Sequence, residues 1–137
     1  MQAAVEPEYI VVDEFAALAV LDVAVLRNLV GENAALIQRL LGSYQNSLDQ
    51  AFEQFGRAMD AQQWEDVKAV AHTLKSSSRS VGAIRLGAIC EQMESLVAED
   101  DVVGISLLAS KLDDAVADVK VGLAQHIDSP SSQSVVA

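Results

Sequence analysis

The stretch Trp64–Ala83, WEDVKAVAHTLKSSSRSVGA, sets the reading of the whole chain. Its apolar residues Trp64, Val67, Val70, Ala71, Leu74 and Val81 recur at helical spacing, and Gly82 closes the run as a helix stop. At about 100° per residue, Val70, Ala71, Leu74, Ser78 and Val81 fall within roughly 60° of Val67 and mark a core-facing side. His72 falls roughly 140° away, outside that stripe, on the same side as Lys68, Lys75, Ser76 and Arg79. The spacing therefore predicts a helix that buries one face and presents an imidazole to solvent from its middle. Lys68 and Ser76 lie one turn before and after it, and Lys75 three residues on. Ala69, Thr73 and Ser76 are small enough to let another protein approach.

The charge pattern marks the same place. The chain has 9 Lys and Arg against 20 Asp and Glu, a net charge of −11. Yet no acid occurs from Val67 to Cys90, a window that holds Lys68, Lys75, Arg79 and Arg85. A local island of positive charge around one histidine in an acidic chain points to chemistry on an anion. Imidazole serves as a nucleophile or proton carrier near neutral pH.

Outward from this helix the period repeats. A long helix is expected from Asn33 to between Asp60 and Gln62, on Ile37, Leu40, Leu41, Tyr44, Leu48, Ala51, Phe52, Phe55 and Met59. Another carries Ile84, Leu86, Ile89, Cys90, Met93, Leu96 and Val97. A last one carries Ile105, Leu108, Leu112, Val116, Val119, Leu123 and Ile127. Two short helices precede these, one after Asp13 through Phe15, Leu18 and Ala19, one after Asp22 through Val25, Leu26 and Leu29 to Gly31. No segment alternates like a strand. The expected fold is all-α, an antiparallel up-down-up-down four-helix bundle with one or two short N-terminal capping helices. The bundle should occupy residues 13–127, with a leader or linker at 1–12 and a disordered tail at 128–137.

A chain of 137 residues, half of them apolar, builds one domain with a core. A pI near 4.3 argues against nucleic acid and against contact with an anionic membrane. The single Cys90 makes no internal disulfide. Neither a membrane span nor a secretory signal is visible, so the expected location is cytoplasmic. No P-loop or kinase Gly-rich loop occurs, so the chain is not expected to phosphorylate itself.

The segment AHTLKSSSRSVGA, residues 71–83, resembles the signature of histidine-containing phosphotransfer domains, the phosphorelay modules of multistep two-component signalling. The matching residues are His72, Leu74, Lys75, the small run Ser76–Ser78, Gly82 and Ala83. Trp64 before the histidine, the long preceding helix and the segment from Asp22 to Arg27 fit the same layout, so the resemblance covers about 15–127. The chain departs from it at Ser76, where the family often has Gly, and at Arg79, where it often has a small residue. The resemblance implies that His72 accepts a phosphoryl group from a receiver-domain aspartate and passes it to another receiver. Lys75 and Lys68 would give electrostatic support, and Ser76, Arg79, Ala69 and Thr73 would contact the partner. Leu74 and Gly82 would be structural. It implies no cofactor or metal of the domain's own, Mg²⁺ being supplied by the receiver. The domain is expected to be a monomer, and either a freestanding carrier or a piece of a hybrid sensor kinase, the latter with a parent anchored in an inner membrane.

Two other readings compete. The His72 face could dock a non-receiver protein without phosphotransfer, or the bundle could hold a metal; the second needs paired Glu-x-x-His ligands, which neither histidine supplies. Elsewhere Ser77 and Ser78 read as packing residues and Cys90 as a buried, inert thiol. His126 reads as a partner for a helix C-terminus, and Glu99, Asp100 and Asp101 as a capped helix junction.

Overall fold

A computed structural model describes the backbone of residues 14–136 and the side chains as far as Ile127. Five helices follow one another: α1 Val23–Val30, α2 Ala34–Asp60, α3 Trp64–Val81, α4 Ile84–Ala98 and α5 Val102–Val136. No strand occurs among the described residues. The links 61–63, 82–83 and 99–101 are too short for anything but antiparallel neighbours. Contacts between helices fix the same sense. Gln38, early in α2, donates from Nε2 to the carbonyl of His126, late in α5, at 2.8 Å. Farther along α2, Asp49 pairs with Lys120 at 2.8 Å. Thus α5 closes back on α2 and the four long helices form a ring, with α1 packed on α2 and α3.

Local sequence explains the helix ends. The side chain of Asp22 caps α1 at the Ala24 amide, and that of Asn33 caps α2 at the Leu36 amide. Glu65 and Asp66 occupy the first turn of α3, where carboxylates complement the helix dipole. Its far end is a Schellman closure: the Ala83 amide donates to Ser78 O at 2.8 Å and the Gly82 amide to Arg79 O, with Gly82 at φ 93°.

The apolar stripes meet in one core. Leu41, Leu48, Val67, Leu86, Met93 and Leu123 are wholly enclosed. One polar pair lies among them, the hydroxyls of Tyr44 on α2 and Ser78 on α3, which share a 2.7 Å hydrogen bond. Burial pushes the Tyr44 phenol up to about 12, partly offset by the Ser78 bond, so it stays neutral. Tyr44→Phe should destabilise the bundle by about 1 kcal/mol by leaving the Ser78 hydroxyl without its partner. Adding Ser78→Ala should restore part of that loss in a denaturant titration.

Two N-terminal expectations change. Asp13 and the leader 1–12 lie outside the described residues, and 14–17 form a turn rather than a helix. The segment is tethered from outside instead. Arg85, at the start of α4, takes Ala16 O with Nη2 and Leu18 O with Nε, and its amide takes Ala19 O. Those three bonds hold it along α4, and so short a helix has little propensity to set against them. Phe15 is nonetheless buried against the bundle, leaving α1 as the single short capping helix. At the other end the α5 backbone continues beyond Ile127, where the apolar stripe stops and a tail is expected. No helix among the described residues is long and apolar enough to cross a membrane.

Candidate functional site

The α3 stripe buries Val67, Ala71, Leu74, Ser78 and Val81, and this rotation turns His72 outward. The His72 side chain is 66 % exposed. Its ring is nevertheless held. Nδ1–H donates to Oε1 of Glu94 on α4 at 3.0 Å; an ionised carboxylate can only accept, which fixes the donor. Glu94 is only 15 % exposed, and its Oε2 takes the Lys75 ammonium at 2.8 Å. One carboxylate thus bridges the histidine and the lysine one turn on. With Nδ1 engaged, Nε2 is the ring nitrogen left with a free lone pair.

Burial alone pushes the Glu94 carboxyl up. The hydrogen bonds and charges of Lys75 and His72 outweigh it and hold the group below its ordinary value of 4.5. A carboxyl depressed in the folded state stabilises the fold above its unfolded value, and that contribution is lost as pH falls through the folded value. Glu94→Gln should therefore flatten the acid side of the stability profile, measured as melting temperature between about pH 5 and pH 3.

His72 opens onto a hollow of about 380 Å³ lined by Glu65, Lys68, Ala69, Thr73 and Glu94. Of the residues expected at the site, Lys68, Ala69 and Thr73 are gathered here. Leu74 is buried beneath, and Gly82 terminates the helix. Ser76 is exposed on α3 but does not line the hollow. Arg79 does not line it either. Its guanidinium pairs with Glu91 at 2.6 Å, and its aliphatic stem lies so close to Gly87 that a Cβ there would come within 2.8 Å of Cγ.

The positive island is a property of the sequence window rather than of the surface. Glu91 and Glu94, just beyond the acid-free window, fold back onto Arg79 and Lys75. Arg85 is the clamp on residues 16–19. Lys68 is the cation of the hollow with no carboxylate pair among the described residues.

Glu94 is the residue that the sequence reading misses, though a signal was available. In an antiparallel pair turning at Gly82–Ala83, Glu94 lies as far beyond Ala83 as His72 lies before it. It also borders the apolar stripe of α4, beside buried Met93. Cys90 is fully enclosed, and burial, with the nearby Glu94 charge, pushes its thiol up to about 12. His126 sits near the α2 end of the bundle, away from His72, with its carbonyl bound by Gln38.

The molecule is thus a ring of antiparallel helices that turns one oriented histidine to solvent at mid-helix. Residues 39–122 match the family model of the Hpt domain, and the chain belongs to that family. Among solved structures it is similar to the crystal structure of histidine-containing phosphotransfer protein B from Pseudomonas aeruginosa PAO1, with a TM-score of 0.72. The identity is 20 %, over 79 % of this chain and 94 % of that one, a likeness of fold. No curated protein matches the chain. Membership in the family makes this a phosphotransfer module of two-component signalling, a class whose members interact with response-regulator receiver domains.

Proposed function

We propose that His72 is the phosphoryl acceptor of this domain, taking the group from a receiver-domain aspartate and passing it to a second receiver. The observation that carries the reading is the exposed imidazole with Nδ1 bound by Glu94 and with no partner for Nε2 among the described residues. In the forward step the Nε2 lone pair attacks phosphorus in line, the Nε2–P bond forms, and the P–O bond to the aspartate breaks with its electrons leaving on the carboxylate. The reverse step, on the second receiver, returns Nε2 to its starting state. Such transfer needs mainly positioning and charge neutralisation. Glu94 orients the ring and balances the positive charge that develops at Nδ1–H during attack. Lys68 lies within the same hollow to meet phosphoryl oxygens. Lys75 holds Glu94 in place, a positioning role instead of direct support of the phosphoryl group. Mg²⁺ belongs to the receiver in this scheme.

The test is incubation with an aspartate-phosphorylated receiver domain and Mg²⁺. Label that is labile to acid and stable to alkali is the expected result. A folded protein that takes no label from receivers or from phosphoramidate would overturn the reading and leave a docking module. Glu94→Ala should slow labelling by phosphoramidate, a donor too small to need docking, by about tenfold to a hundredfold. Glu94→Gln, whose carbonyl still accepts from Nδ1–H, should recover part of that rate. A purely structural role would leave the phosphoramidate rate unmoved once the variants are shown to be folded.

A further inference from the structure

The His72 hollow does not end at α3. Ala69 and Thr73 also line a second depression, of about 180 Å³, with Ala51, Gln54 and Val70. Gln54, Ala69 and Val70 in turn line a third and larger one, of about 890 Å³, with Ala58, Asp60 and Asp66. The three adjoin one another through these shared residues, as a trough that passes from the His72 side of α3 to the α2–α3 groove and the 61–63 link. Its apolar lining is Ala51, Ala58, Ala61, Ala69 and Val70, set among charged side chains.

The balance of those charges is uneven. Arg57 is paired with Glu53 at 3.6 Å, and Glu94 with Lys75 and His72. The carboxylates of Asp60, Glu65 and Asp66 have no cationic partner among the described residues, against the one unpaired cation, Lys68. Glu65 and Asp66 serve the α3 dipole, but Asp60 lies at the C-terminal end of α2, where a carboxylate is unfavourable. Helix capping does not account for all three.

Resting on the reading of His72 as acceptor, we propose that this trough selects the partner: it docks receivers that present an apolar ridge flanked by Lys or Arg beside their phosphorylated aspartate. Two features argue for a receiver as occupant. The trough shares Ala69 and Thr73 with the His72 hollow, so a protein that fills it also covers the ground beside the imidazole. Its unpaired charge is negative, so a basic flank gains attraction and an acidic one is repelled. Long-range attraction of this kind raises the encounter rate and is screened by salt.

The experiment measures second-order transfer rates from a panel of aspartate-phosphorylated receiver domains with either basic or acidic surfaces beside the aspartate. It is run at about 50 mM and about 300 mM salt. Phosphoramidate labelling of His72 runs in parallel. The expected result is transfer about tenfold or more faster from basic-flanked receivers. That preference should collapse at high salt and in Asp60→Asn/Asp66→Asn, with the phosphoramidate rate of the variant unchanged. Equal rates from both receiver sets, or a preference the variant keeps, would overturn the proposal. So would phosphoramidate labelling with no transfer from any receiver, which leaves the His72 assignment standing. Failure of phosphoramidate as well would sink that assignment instead.

Discussion

His72→Ala should lose phosphoryl acceptance altogether, from receivers and from phosphoramidate alike, at least about a thousandfold in rate. Few other groups can substitute. Cys90 is enclosed and its thiol is pushed up to about 12. Tyr44 is likewise buried and neutral. His126 sits at the other end of α3 from the hollow, close to the α2 N-terminus. His126→Ala should therefore accept label at the native rate. Because His72 is exposed, its replacement should leave the fold intact, with an unchanged helical spectrum and a melting temperature within a few degrees. Residual alkali-stable label on the alanine variant would place the acceptor elsewhere.

Gly82→Ala is expected to be the most damaging small substitution for stability, by about 3 kcal/mol or more in a denaturant titration. Two penalties coincide. The residue sits at φ 93°, where an L side chain is strained. A Cβ there would also overlap the carbonyl oxygen of Asp22. Relieving the overlap pushes Asp22 away and breaks the 2.9 Å bond from its amide to Gly82 O, which docks α1 onto the α3–α4 turn. Gly31 supplies the comparison. It has φ 84° but nothing within 4 Å of the added carbon, so Gly31→Ala should cost only about 1 kcal/mol. Equal losses at the two sites would show that backbone strain alone matters and that the Asp22 contact is dispensable.

The long helices were legible because each carries its own evidence. Asn33 is a capping residue at the head of an apolar stripe, Gly82 a stop at the foot of one, and the stripe between Ile37 and Met59 is long enough to leave little choice. The orientation of His72 followed from the same geometry. What the sequence concealed lies between helices. The acid-free window misled because charge counted along a chain ignores what packs across it, and Glu91 and Glu94 arrive from α4. The segment after Asp13 carries helical spacing, yet its carbonyls are claimed by Arg85, far along the chain. Propensity over so few residues yields to a tertiary contact of that kind.

The burial of Cys90 has a practical corollary. It is the sole cysteine, enclosed on the interior face of α4, the helix that also bears Glu94. A thiol reagent can reach it only when α4 swings free, so the modification rate under native conditions is a clock for opening of that hairpin. Read with and without phosphate on the histidine, the clock would report how far the chemical state of the surface loosens or tightens the interior, with no probe added to the protein.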